Sequence, residues 1–178
     1  MLKFIFILLL ICFCSYSGFI TKQSYALLPK KELALQIVKA DRILVQKRKR
    51  KLFLLKEGEV FRDYTISLGF APVGPKQQKG DGKTPEGSYR ICAKNPNSQF
   101  HRSLKISYPN VQDEKNAAIN KTAPGDHIMI HGLKWNFAWL GKIHTLKDWT
   151  LGCIAVTNPE IEEIWELVDI GTPIDIEP

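Results

Sequence analysis

The sequence predicts a mainly β domain with one packed helix near its C-terminal end, and three observations predict it. From residue 43 onward, short runs rich in Ile, Val, Leu, Tyr and Phe are separated by Gly, Pro and Glu-Gly turn signals. Sustained helical spacing with clear end signals occurs once, at Ile161, Ile164, Trp165 and Val168. The chain of 178 residues suits one domain of ordinary size. Hydrophobic residues at 44% and charged residues at 24% exclude a wholly disordered chain. The 12 Gly and 10 Pro follow no period, which excludes collagen-like and low-complexity chains, and the lack of self-similarity excludes a solenoid. With 25 basic against 18 acidic residues, the net charge of +7 suits an anionic polymer or surface; nothing in it singles out nucleic acid, and none is expected as a partner.

The chain opens with the anatomy of an export signal. Met1 and Lys3 precede an apolar run over 4–13, then Ser15, Ser17 and Gly18, and Ser24-Tyr25-Ala26 offers the small residues a signal peptidase reads. The expected organisation is a signal peptide over 1–26 and a single domain over 27–178. Residues 4–20 are also long and apolar enough for an uncleaved anchor, through which alone the chain would meet a membrane. A lipidated Cys12 or Cys14 is a third reading, disfavoured by the bulky Ile11 and Phe13 before them. The expected location is exported, periplasmic or associated with the cell envelope.

Residues 27–38 read as a short amphipathic helix. Ile43-Leu44-Val45, Leu52-Phe53-Leu54-Leu55 and Tyr64-Thr65-Ile66-Ser67-Leu68 read as strands, with Glu57-Gly58 and Gly69 as turns. The basic run Lys47-Arg48-Lys49-Arg50-Lys51 reads as a solvated hairpin tip, since like charges must face water. Residues 71–88 form a long Pro/Gly loop, of the length that tends to serve function. Tyr89-Arg90-Ile91, then Leu104 to Tyr108 ahead of Pro109, then 127–132 resume as strands. The helix follows, with Asn158 as its cap, Pro159 in its first position and Glu160, Glu162 and Glu163 at its positive end. Gly171 stops it, and Ile174-Asp175-Ile176 closes the chain as a strand.

Removal of a leader leaves two cysteines, Cys92 and Cys153. In an oxidising compartment one disulfide is the plain reading; the alternative is that Cys153 is a nucleophile and Cys92 a small buried hydrophobe. Thr150-Leu151-Gly152-Cys153 lies between Trp149 and Ile154-Ala155-Val156. The glycine permits close backbone approach, and amides around Gly152 and Cys153 can point at one substrate oxygen. A thiol needs a base or a positive field to become nucleophilic, and His131 and His144 are the available bases. A packed Cys after a turn would satisfy this local pattern equally well.

The wider pattern is more specific. Ile130-His131-Gly132, 18 residues, Thr150-Leu151-Gly152-Cys153 and then Asn158 resemble the catalytic signature of the YkuD-type L,D-transpeptidases. The resemblance extends upstream to Gly80-Asp81-Gly82-Lys83-Thr84-Pro85-Glu86-Gly87 and downstream to Gly171-Thr172-Pro173-Ile174, and 148–158 look like the YafK-type branch. Leu151 and Ala155 depart from the family pattern, standing where many members carry His and Arg.

The resemblance implies an L,D-transpeptidase-like β-sandwich with a packed C-terminal helix, and no cofactor or metal. It implies a cysteine acyl transfer on peptidoglycan stem peptides, in which Cys153 forms a thioester and His131 moves the proton. The Gly132 carbonyl would orient the imidazole, and amides near Gly152 would hold the oxyanion. His144 is a supporting or alternative base. Lys83, Trp149, Thr150 and Asn158 are candidates for the substrate groove; for the loop bearing Lys83 a plain turn is an equal reading. An amine acceptor gives a cross-link, and water gives hydrolysis, for example release of a wall-linked lipoprotein. Two non-acyltransferase readings stand beside these. His127, His131, His144 and Cys153 can be weighed as zinc ligands, against which the strand-like 127–132 argues. A catalytically silent wall-binding module would be favoured by a Cys92–Cys153 bond.

Overall fold

The structure, a computed structural model, describes residues 38–178. The leader and the helix expected over 27–38 lie outside the described residues, apart from Val38. The chain enters through an antiparallel hairpin, β1 (Arg42–Gln46) and β2 (Lys51–Lys56). Its register sets Ile43 against Leu54 and Val45 against Leu52, all four buried on the same face by the two-residue alternation of strands. Strand β3 (Glu59–Thr65) continues antiparallel after the turn at Glu57 and Gly58, both at positive φ.

Strand β4 (Gly87–Ser98) is long because it serves two neighbours. Its first residues pair with the C-terminal strand β8 (Pro173–Glu177), and the remainder pairs with β5 (His101–Ile106). Strand β6 (Met129–His131) joins β5 antiparallel, and β7 (Ile154–Ala155) joins β6 parallel. With β8 inserted parallel to β1, the strand order is β3-β2-β1-β8-β4-β5-β6-β7. The stretch after β3 then returns to the opposite edge, where Ser67 pairs with Ala155 and Gly69 with Thr150. The mainly β expectation therefore holds. One cluster of buried side chains joins both halves of the sheet, from Ile43 and Leu52 to Ile130 and Ile154. Each such side chain contributes about 1.5–3 kcal/mol of burial.

Several expectations need correction. The C-terminal helix, α2 (Asn158–Leu167), buries Ile161 and Ile164 as expected, but its cap is Thr157, which with Glu160 forms a capping box. Asn158 is thereby free to bond elsewhere. A second helix, α1 (Val111–Ile119), is present, started by Asn110 and Asp113 in another capping box. Two short 3₁₀ turns over Trp135–Leu146 meet at Gly141 (φ 48°). Strand β5 starts earlier than expected, at His101, and β6 is shorter, because His127 sits at positive φ outside it. The hairpin tip is not wholly solvated. Lys47 is buried, its ammonium bonded to Glu86 and to the Gly74 and Thr84 carbonyls, and Arg50 pairs with Asp148. Cys92 is exposed rather than buried, since the inward position on β4 belongs to Ile91.

Candidate active site

Strand pairing brings the two sequence signatures together. In the parallel β6–β7 register Ile130 faces Ile154 and His131 faces Ala155. Cys153, one residue before β7, therefore lies alongside Met129, and side-chain alternation sends the thiol and the imidazole to the same face. The His127 carbonyl lies 3.5 Å from Cys153 Sγ and accepts its S–H, while the Met129 backbone N–H donates to the sulfur. Burial pushes the thiol pKa above its ordinary 9.0; the Met129 amide and the positive charge of Lys76 pull against that rise.

His131 is buried, and its Nδ1–H donates to the Gly132 carbonyl at 2.7 Å. That bond fixes the tautomer and leaves Nε2 as the nitrogen available for a proton. Phe100 packs on the ring at 4.4 Å between centroids, with Trp149 edge-on at 5.9 Å. Burial drives the imidazole pKa down from 6.5 to about 4, against the opposing pull of the Gly132 bond. The resting pair is thus neutral thiol with neutral imidazole rather than a thiolate–imidazolium pair.

Asn158 does not line a groove at the thiol. Its Oδ1 accepts the Leu133 N–H at 2.6 Å, which fixes the backbone next to the Gly132 carbonyl that orients His131. A β-carbon at Gly132 would come within 2.6 Å of that same Oδ1 and 2.9 Å of Ile161, so glycine lets β6 run close to α2.

The nucleophile turn is stapled from within. Thr150 is buried, its Oγ1–H donating to the Cys153 carbonyl at 2.7 Å while accepting the Gly152 N–H at 3.1 Å. Two expectations change with this: Thr150 is a staple rather than a groove residue, and the Gly152 amide is already committed and is not a free oxyanion donor. Gly152 itself lies at φ 125°, and a β-carbon there would meet the Lys83 carbonyl at 2.6 Å. Lys83 thus meets the turn through its backbone, while its ammonium lies beside Gly74.

His144 is buried, with Nδ1 3.1 Å from Ser67 Oγ; that hydroxyl donates to the His144 carbonyl, so Nδ1 carries the proton donated to it. Burial lowers its pKa. Trp149 stands edge-on to His144 as well as to His131, and with Phe100, Leu133 and Phe137 it lines an apolar cavity of about 330 Å³. Neither His144 Nε2 nor Trp149 Nε1 has a partner.

Sequence reasoning missed Phe100, Ser67, Arg50 and Asp148. The Asp148 carboxylate receives Arg50 and the Leu68 N–H, tying the hairpin tip to the strand beside the nucleophile turn. It also missed Asp81, which accepts the Lys76 ammonium and the Gln77, Gln78 and Lys83 amides and so shapes the loop under Gly152. Cys92 and Cys153 are both free thiols. Among the described residues no three His, Cys, Asp or Glu side chains converge as metal ligands. His127 faces Asp126 at 2.5 Å, on the exposed side of its loop.

Comparison with known proteins decides the family. A model of the YkuD L,D-transpeptidase catalytic domain matches residues 40–176. The chain belongs to this family. It is 30% identical over 168 residues to the "putative L,D-transpeptidase YafK" of Escherichia coli K12, covering 90% of this chain and 61% of that protein. It therefore spans about three fifths of the length of the curated relatives it matches. Among solved structures it is similar to the helical cell shape determining protein Pgp2 of Campylobacter jejuni, at 25% identity and a TM-score of 0.58 over 76% of this chain and 46% of that one. Bd1075 of Bdellovibrio bacteriovorus is similar at 27% identity and a TM-score of 0.53, over the same shares. Both neighbours share the mainly β fold of this chain.

Proposed function

We propose that this chain is a cysteine acyltransferase acting on peptidoglycan stem peptides in the cell envelope. The observation that carries this reading is the His131 Nδ1–Gly132 carbonyl bond, which frees Nε2 as a base on the strand beside the one that presents Cys153. Family membership supports a peptidoglycan stem peptide as the substrate class.

On binding of a stem peptide, Cys153 Sγ attacks the carbonyl carbon of the amide at an L-centre as His131 Nε2 takes the thiol proton. Because Thr150 has taken the Gly152 amide, the Cys153 amide is the turn donor assigned here to the developing oxyanion. Collapse breaks the C–N bond, and the imidazolium returns the proton to the departing amine, leaving a thioester on Cys153. An amine acceptor then gives a cross-link or an exchanged stem, and water gives a free carboxylate; a wall-linked lipoprotein is one donor such hydrolysis would release.

Mass spectrometry of purified peptidoglycan treated with the protein tests this directly. The expected result is new cross-linked, exchanged or shortened stems, absent with Cys153→Ala, whose melting temperature stays unchanged. His131→Ala should lower turnover by several orders of magnitude, because one member of a catalytic unit disables the rest. Full activity in Cys153→Ala, or loss confined to His144→Ala, would refute the assignment.

A further inference from the structure

Contrary to the expectation that only the N-terminal segment would meet a membrane, we propose that the 134–151 segment is a docking surface for an anionic phospholipid bilayer, set beside the nucleophile turn. Six large apolar side chains stand exposed within it, namely Trp135, Phe137, Trp139, Ile143, Leu146 and Leu151. Trp135 is 87% exposed, Trp139 76% and Leu146 85%. Apolar exposure concentrated in one segment marks an interaction site.

The backbone beneath these side chains is fixed, so they are displayed rather than frayed. Phe137 N–H bonds the Lys134 carbonyl, Ser67 holds the His144 carbonyl, His144 is buried, and Arg50 grips Asp148 at the far end.

Charge selects the occupant. From His127 to Lys147 the sequence contains no Asp or Glu, while Lys134, Lys142 and Lys147 are all exposed. Tryptophan with lysine is the composition of membrane interfaces, where indole rings sit at headgroup level and ammonium groups meet anionic lipid. Ile143, Leu146 and Leu151 favour lipid over carbohydrate, since branched aliphatic groups gain by burial among acyl chains and cannot stack on a sugar ring as an indole does. Leu151 lies two residues before Cys153, so docking would bring the nucleophile turn to the bilayer surface.

Intrinsic fluorescence of the full chain tests the proposal independently of catalysis, because its four tryptophans are at 135, 139, 149 and 165 and none lies in the N-terminal apolar run. The probe is a vesicle of phosphatidylglycerol and phosphatidylethanolamine with brominated acyl chains, which quench only tryptophans in contact with the bilayer. Quenching is expected in the native sequence and should fall more than twofold in W135S/W139S, whose melting temperature should not change because both side chains are exposed. It should also weaken about fivefold per lysine in vesicle titrations of K134E/K142E. Absence of quenching in the native sequence, or equal quenching in W135S/W139S, overturns the proposal. An emission shift with lipid-free glycan strands but not with vesicles overturns it too, and reassigns the surface to carbohydrate.

Discussion

Lowering the pH from 7 to 4.5 should weaken this fold through His131 more than its carboxylates explain. Burial pulls the imidazole pKa from 6.5 to about 4, with the Gly132 bond opposing and nearby His144 adding to the fall. A folded-state pKa below the unfolded one means that the unfolded chain binds the proton first. The stabilisation is complete above pH 6.5 and is lost as pH falls through 4. The gap of about 2.5 units corresponds to roughly 3 kcal/mol, of which roughly 2 kcal/mol disappears between pH 7 and 4.5. The carboxyls of Asp81, Asp126 and Asp175 are held below 3.8 by their partners, so their contributions fade only at lower pH. His144 acts in the same direction as His131, and a paired variant separates them. Urea denaturation at pH 7, 6, 5 and 4.5 should show the native sequence losing about 2 kcal/mol more than His131→Asn across that range. In the same window the base stays neutral, so kcat/KM should keep its value at pH 6 and show no acid limb near 6.5. Parallel denaturation curves for the two proteins, or an acid limb at 6.5, would refute the buried, neutral His131.

Asn158→Ala should leave the Leu133 N–H unpaired and cost about 1–3 kcal/mol in urea unfolding; turnover should fall with it, and Asn158→Asp, which keeps the acceptor, should recover both. Gly152→Ala combines positive φ with a 2.6 Å approach to the Lys83 carbonyl, so a loss of roughly 2 kcal/mol or more and of nearly all turnover is expected from melting and product assays. Cys92→Ala removes an exposed thiol with no resolved role, and both melting temperature and turnover should remain within error.

What the sequence makes legible here is periodic or local. Ile43 and Val45 against Leu52 and Leu54 announce the first hairpin, and Ile161, Ile164 and Val168 announce α2, because each pattern reports one buried face. Helix α1 is nearly silent: Ala117 is its one buried residue, and the only local sign is the capping pair Asn110 and Asp113. The 3₁₀ turns carry aromatics facing outward, so their spacing reports no core. The pairing of His131 with Cys153 is suggested by motif spacing, but the parallel β6–β7 register that performs it is a long-range fact. The roles of Thr150, Asn158, Lys47 and Arg50 are not legible in the sequence, for one reason. Each spends its polar group on a backbone or side chain distant in sequence, or on a turn whose shape only the fold defines.

The neutral resting state of Cys153 has a chemical consequence for the proposed acyl transfer. The thiolate, rather than the thiol, is the species that oxidants attack. Burial raises the Cys153 pKa and so suppresses the vulnerable form between turnovers. Attack then requires the proton to leave as the substrate arrives, which demands a base that is unprotonated at working pH and rigidly aimed. His131 meets both demands for the same reason: the burial that depresses its pKa also packs it against Phe100 and Trp149. The supports around the pair follow from that requirement. Asn158 and the Gly132 carbonyl hold the base, Thr150 and the Lys83 carbonyl hold the turn, and Met129 and Lys76 supply the positive field that a departing proton leaves in need. A site without these supports would lose the aligned transfer that makes a neutral pair reactive.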